Sequence, residues 1–291
     1  MLTIKPKNKI YFLDWGYYIH SSIYATHPIR PSRGFNPLPS TFVAMRMMLT
    51  NLRETGIQPD DIVIIATDKT HISGNWRAEL DKEYKSTRKQ KREKRIDIDW
   101  QSEYGKHNDF EKILKKSTPF YVLGIEKLEA DDIISFGVRY FPNNEKIIIA
   151  SDQDYEQLLC FKNILIYSPK AKRFKVVKNP YKVLQKKIEK EVSDDLRSKV
   201  CDEKEFEIRR QIVDLTSLPD CVEQKIEPVF NQLEEKKYNL ALLPYNSLRE
   251  NFFSIYNNAN PETFEKSKMF LQKKDRKKKI EKEKKKQLRL V

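Results

Sequence analysis

Gly124-Ile-Glu-Lys-Leu-Glu-Ala-Asp-Asp-Ile-Ile-Ser-Phe136, followed by Glu145-Lys-Ile-Ile-Ile-Ala-Ser-Asp-Gln-Asp-Tyr-Glu-Gln-Leu-Leu159, decides the fold. In the first run, Ile133, Ile134, Phe136 and Val138 follow Glu129, Asp131 and Asp132 with no proline between. That pattern predicts a helix with three carboxylates in its first turn. In the second, Ile147 to Ala150 is a short, wholly apolar and mostly β-branched run, as in a parallel strand covered on both faces; Asp152 and Asp154 lie just past its end. Ligands of open α/β sheets bind at that carboxyl edge, so the two acidic groups can share one crevice. Taken singly, each acid also fits a structural role, because the helix dipole favours carboxylates in a first turn and Asp is a common cap or turn residue after a strand. Together they repel unless a cation is bound or protons are retained. No His or Cys cluster lies nearby, so the expected ion is Mg²⁺ or Mn²⁺ rather than zinc.

The same grammar recurs upstream. Ile10-Tyr-Phe-Leu13 ends in Asp14, and Ile62-Val-Ile-Ile-Ala66 leads through Thr67 to Asp68. Between them a helix is expected from about Pro39 to Arg53, its start marked by Ser40 and its Met-rich stripe buried. Phe120 to Leu123, Ile164 to Tyr167 and Arg173 to Val177 read as further strands. The fold class is α/β: a mostly parallel central sheet flanked by helices.

Lysine and arginine number 56 against 42 acids, a net charge of +14 over 291 residues, which implies a polyanionic partner. The excess sits in 77–95, 162–190 and 273–289. Residues 69–118 show no broad apolar face, so they are expected to project as an arch. Trp76, Tyr84 and Trp100 interleave there with Arg77, Lys91, Arg92, Lys94 and Arg95, a mixture suited to gripping a nucleic-acid strand, although a solvated helix face is the plainer reading. Residues 1–180 are expected to form the core, 181–260 a small helical subdomain, and 261–291 a basic tail that is either solubilising or phosphate-binding. The three cysteines are scattered, which fits a reducing compartment without disulfides. No signal peptide or membrane-spanning run is evident, and a soluble cytoplasmic protein is expected. The four histidines show no metal or catalytic spacing; no glycine-rich phosphate loop and no nucleophilic Ser or Cys arrangement stands out. The chemistry is left to carboxylates and metal.

These motifs resemble the 5′-nuclease (flap endonuclease, PIN-like) family, bacteriophage ribonucleases H and 5′→3′ exonucleases above all. The resemblance covers about residues 9–260 and rests on Leu13-Asp14, Ala66-Thr-Asp68, Trp76-Arg77, Tyr84-Lys85-Ser-Thr-Arg88, Leu128-Glu-Ala-Asp-Asp132 and Ser151-Asp-Gln-Asp154. It implies a PIN-like (resolvase-like) sheet, two divalent ions per site and a helical arch that holds single-stranded 5′ ends. By motif position, Asp14, Asp68, Glu129 and Asp131 would hold the first ion, Asp132 would assist through water, and Asp152 and Asp154 would complete the cluster. Lys85 and Arg88 match the arch cations that touch the scissile phosphate, and with Asp131 and Asp152 they form the expected catalytic set. The family's Gly-Asp-x-x-Asp segment and helix-hairpin-helix are eroded or absent: Glu191-Val192 replaces Gly-Asp, no Gly-x-Gly follows, and Asp194 or, in the preferred register, Asp195 is left as the second-ion carboxylate.

The expected activity is divalent-metal-dependent 5′→3′ exonuclease or flap endonuclease cleavage of DNA or RNA–DNA hybrids, with ribonuclease-H-like primer removal during DNA replication. Its mechanism would use two metals. A DNA or hybrid 5′ end is the implied substrate. A replication polymerase or single-strand-binding protein is the implied partner, and the chain is expected to act as a monomer in the cytoplasm, that of a bacterial host if the source is a phage. Two other readings stay open, a catalytically weakened nucleic-acid-binding member and a PIN-type endoribonuclease.

Overall fold

The alternating apolar runs become a six-stranded sheet in the computed structural model, which describes residues 5–28, 38–70, 74–82, 84–85, 95–189 and 203–252. Its strands are β1 (Ile10–Asp14), β2 (Ile62–Ala66), β3 (Tyr121–Leu123), β4 (Lys146–Ile149), β5 (Ile164–Ser168) and β6 (Arg173–Phe174), in the order β3-β2-β1-β4-β5-β6. All neighbouring pairs are parallel except β5 with β6. The first three strands step outward from β1 in one direction, then β4 pairs with β1 on its other side, Leu13 opposite Ile149. The sheet therefore reverses its winding between β1 and β4, the place where an open α/β sheet leaves a crevice.

Successive side chains of a strand point to opposite faces, and both faces are covered. Ile10, Phe12, Ile64 and Ile148 pack under helix α5 (Ala130–Tyr140), while Tyr11, Leu13, Val63 and Ile149 pack against α1 (Trp15–Thr26), α2 (Ser40–Glu54) and α4 (Trp100–Ser117). Gly137 lets α5 lie close on β1, since a methyl there would sit 2.4 Å from the Phe12 ring. The short helix α3 (Trp76–Leu80) abuts the head of α5. Ser40 does not cap α2; Pro39 holds that position, and the Ser40 hydroxyl donates to Glu103 of α4 instead.

Two expectations change. Residues 100–117 do not project: His107, Phe110 and Leu114 form a narrow buried stripe, and Glu103 and Glu111 also turn inward. A stripe this thin is masked in the sequence by the charges around it. The C-terminal helices α6 (Tyr181–Glu189), α7 (Glu203–Val213), α8 (Asp220–Asn231) and α9 (Asn246–Phe252) likewise build no separate large core. Leu215, Val222, Ile226 and Phe230 join the cluster beneath α5, and Leu243, Leu248 and Phe252 join the opposite one. A smaller cluster of Ile188, Ile212 and Val213 encloses Tyr84. The eroded hairpin with Asp194 and Asp195, the arch residues Arg88, Lys91, Arg92 and Lys94, and the tail 261–291 lie outside the described residues. Among the described residues no helix is long and apolar enough to cross a membrane.

Candidate active site

The carboxyl edge at the β1/β4 reversal gathers the acids. Asp14 ends β1 and caps α1, accepting from the Tyr17 amide at 3.3 Å on Oδ1, while its Oδ2 accepts the Tyr155 hydroxyl at 3.1 Å. Tyr155 belongs to a 3₁₀ turn, Asp154–Cys160, that leaves β4. Asp68 follows β2 and accepts the Ala130 amide at 2.7 Å, which ties this loop to the first turn of α5. Gly16 keeps a notch open between them. A Cβ added there would lie 3.1 Å from Asp14 Oδ1 and 3.5 Å from Asp68 Oδ2.

Burial dominates the electrostatics of these acids. It pushes Asp14 up to about 7, with the nearby Asp68 charge adding to the effect. It also raises Asp68, reinforced by Glu129, and raises Asp131 well above the carboxylate range even though Arg77 opposes the shift. Asp131 Oδ1 makes no hydrogen bond, and the Arg77 guanidinium stands 3.5 Å from it. Acids whose pKa is raised in this way ionise more readily beside a divalent cation, so their chemistry fits a hard ion. Among the described residues no three Asp, Glu, His or Cys side chains stand close enough to hold one ion. The acids are neighbours on an edge, and binding would have to draw them together.

Four expectations from the sequence are corrected by this geometry. Trp76, Arg77 and Tyr84 are buried, with 6%, 1% and 9% of their surfaces exposed, and cannot meet a nucleic-acid strand. They clamp the head of α5 instead. The Arg77 guanidinium bonds Glu129 at 3.0 Å and pairs with both oxygens of Asp132 at 2.7 and 3.1 Å, and its Nε donates to the Ile212 carbonyl at 2.8 Å. The Trp76 indole donates to Asp132 Oδ2 at 3.1 Å, and the same oxygen accepts the Glu129 amide at 2.9 Å. Asp132 is the fourth correction: fully buried, its Oδ2 is taken by Trp76, Arg77 and the Glu129 amide, while its Oδ1 faces the Arg77 guanidinium at 2.7 Å and makes no hydrogen bond. Glu129 accepts the Tyr84 hydroxyl at 2.8 Å and the Lys85 ammonium at 2.5 Å. Burial would raise Glu129, but Lys85 and Arg77 overcome it and hold the group down at about 2. The acid expected to hold the first ion is thus met in the bare protein by two cations of the chain itself.

Lys85 sits in the left-handed region at φ +55°, with its ammonium 4.8 Å from the Tyr84 ring centroid. It faces a small cleft that is lined also by Asp131, Asp152, Asp154, Lys187, Ile212, Val213 and Leu215. Asp152 is exposed and accepts the Asp154 amide at 3.0 Å. Asp154 forms an ion pair with Lys187 of α6. Arg95 binds Asp97 and the His27 carbonyl beside the Tyr24 ring, some way along α1 from the acids. Sequence reasoning missed Gly16, Tyr155 and Lys187. It also missed Asp214, which lies between the cleft residues Val213 and Leu215 and accepts from the Thr216 amide and hydroxyl at 2.7 and 2.6 Å. The glycine and tyrosine adjoin motif acids in the sequence, whereas nothing local singles out Lys187.

Fold and edge together define a resolvase-like, PIN-like α/β domain with acids at its winding reversal. The chain belongs to the 5′-3′ exonuclease family: the profile of the 5′-3′ exonuclease N-terminal resolvase-like domain matches residues 9–192. Ribonuclease H of Enterobacteria phage T4 is 29% identical over 187 residues, a match spanning 63% of this chain and 60% of that relative. The T5 5′-exonuclease with bound divalent metal ions (zinc) superposes with a TM-score of 0.50 at 17% identity, covering 91% of this chain and 99% of that one. The T5 D15 flap endonuclease, in a pseudo-enzyme-product complex with DNA and metal ions, gives 0.51 at 15% identity over 91% and 98%. These structures share the fold.

Proposed function

We propose that the chain is a divalent-metal-dependent 5′ nuclease, an exonuclease or flap endonuclease that hydrolyses phosphodiester bonds in DNA or RNA–DNA hybrids bearing a 5′ end. The observation that carries this reading is the trio Asp14, Asp68 and Asp131, which share the reversal edge and are all raised by desolvation. Mg²⁺ or Mn²⁺ would be held by this trio together with Asp152, and a second ion would lie toward Asp154. When bound, such ions supply Lewis acidity toward the phosphate and a more acidic water.

The chain's own groups do the rest. Tyr155 fixes one oxygen of Asp14, and the Ala130 amide fixes Asp68, so that both acids face the Gly16 notch. Arg77 and Lys85 keep Glu129 ionised at the head of α5. That carboxylate in turn orients the Lys85 ammonium, which offsets charge developing on the phosphate in the transition state. The net charge of +14 would steer a polyanion toward the protein. Primer removal beside a replication polymerase or single-strand-binding protein, by a monomer in a bacterial cytoplasm, is the setting that suits this chemistry.

The test is a digestion panel in Mg²⁺ and in EDTA: 5′ flap, nicked duplex, RNA–DNA hybrid and single-stranded RNA, each labelled at its 5′ end. Metal-dependent release of short 5′ products from flap or hybrid is expected. Binding without cutting would replace the reading with a noncatalytic nucleic-acid-binding protein, and preference for single-stranded RNA with an endoribonuclease.

A further inference from the structure

The two ends of the acidic edge are balanced differently. At the Asp14–Asp68 end these two carboxylates accept hydrogen bonds from a tyrosine hydroxyl and two backbone amides, and the nearby Lys85 ammonium is bonded to Glu129 rather than to either of them. At the other end, on the turn that leaves β4, the protein brings its own cations. Lys175 donates to the Asp152 carbonyl at 2.9 Å and pairs with Glu156 at 2.9 Å. Lys187 reaches across the cleft to Asp154, with only 17% of its side chain exposed.

Lys187 is held there by construction. The next residue, Ile188, is 4% exposed and packs with Tyr84, Ile212 and Val213. The Ile188 carbonyl accepts Arg209 of α7 at 3.2 Å, and Tyr84 in the same cluster bonds Glu129. The ammonium is thus anchored to the packing that positions the head of α5. A lysine on a loose surface loop would lose most of such a pair to entropy and solvent screening.

We propose that Lys187 is the resident counter-ion of the Asp152–Asp154 half of the site, so that a second divalent cation binds only by displacing its ammonium from Asp154. The inference rests on reading the edge as a cation site, and it deepens that reading: one ion binds tightly at the Asp14–Asp68–Asp131 end, and a second binds weakly against the lysine. Lys187 is accordingly a specificity-determining residue for metal occupancy. Once displaced, its ammonium remains in the cleft as a group able to face a phosphate.

The experiment counts bound Mn²⁺ by electron paramagnetic resonance on the full chain, without substrate, beside cleavage as a function of Mg²⁺. Wild type is expected to bind one ion tightly and one weakly. Lys187→Met removes the competing charge and should tighten the weak ion by about tenfold or more, moving the Mg²⁺ dependence of cleavage to lower concentration. Lys187→Arg should match wild type. Asp154→Asn, which removes the contested carboxylate, should abolish the weak ion and spare the tight one; this arm decides the matter even if the Met variant does not fold. Unchanged second-ion affinity in Lys187→Met, or two retained ions in Asp154→Asn, overturns the inference while leaving the nuclease reading intact. A wild-type chain that binds no Mn²⁺ and cuts nothing overturns both.

Discussion

Glu129 and Asp131 stand two residues apart at the start of α5, yet the protein treats them in opposite ways. Glu129 receives Arg77, Tyr84 and Lys85 and is held ionised at about 2. Asp131, turned toward the cleft, keeps one oxygen without a hydrogen bond and is raised well above the carboxylate range by burial. The same division separates Asp132, whose Oδ2 accepts from Arg77, Trp76 and its own cap amide, from Asp14 and Asp68. Acids of one kind are already met by cations of the chain itself. Acids of the other kind are left with a charge deficit that an external cation can fill. The two kinds differ in whether a guanidinium or ammonium from a distant segment hydrogen-bonds the carboxylate, and sequence neighbours need not share that fate.

The largest expected effect tests the second kind. Asp131→Asn should lower single-turnover cleavage of a 5′ flap by at least about a hundredfold, on the scale of losing a transition-state contact. Thermal melting in EDTA should be unchanged or slightly raised, because a buried repulsive charge has gone. Wild-type cleavage by this variant would place Asp131 among the structural acids.

Arg77→Met probes the first kind and should do the reverse. Breaking a buried ion pair by removing one member costs about 3–5 kcal/mol, so a fall of that order in unfolding free energy by urea titration is expected. A loss under about 1 kcal/mol, within the range of exposed pairs, would mean that the clamp is not what holds the head of α5.

A buried titratable group away from the edge supplies the control. His107 lies under α2 and α4 with Nε2 3.1 Å from the Ser40 hydroxyl and Nδ1 without a partner. Burial holds it down at about 4. The unfolded chain takes up this proton near pH 6.5 and the folded chain only near pH 4, so stability contributed above 6.5 is lost as pH falls through that window. The loss should reach at most about 3 kcal/mol. Melts of wild type and His107→Gln should converge across it, and parallel curves would show that the imidazole does not titrate on its own.

The smallest effect concerns space. Gly16→Ala puts a methyl 3.1 Å from Asp14 Oδ1 and 3.5 Å from Asp68 Oδ2, within the α1 helix where alanine is otherwise favoured. Mn²⁺ affinity should weaken severalfold while melting in EDTA rises or holds. Undiminished affinity would move the ion away from this notch.

The strands were legible because each is a contiguous apolar run closed by a turn, and the positions of the acids after Leu13, Thr67, Leu128 and Ser151 already implied one shared edge. Which acids remain unpaired was not legible. Arg77 lies in a charged stretch that reads as solvent-facing, and its burial depends on Ile212 and the head of α5 closing over it. Likewise the stripe His107, Phe110, Leu114 is too narrow to stand out among the charges of α4. Asp214 stood out only as part of the stretch Arg210–Leu215 that resembles the segment after the hairpin, and nothing local set it beside the cleft. Such features are set by approaches between segments far apart in the chain, where local periodicity is silent.

The bond from Arg77 Nε to the Ile212 carbonyl joins residues 135 positions apart. A chain growing from its N-terminus therefore carries all the motif acids, from Asp14 to Asp154, well before it carries the carbonyl that seats their clamp. During synthesis the sheet edge exists first as a set of repelling carboxylates beside an unseated arginine, and it is completed only when residues 203–215 have emerged and closed over it. Maturation of the site is thus timed by chain length: Ile212 has to be made before the arginine at its acidic edge is seated.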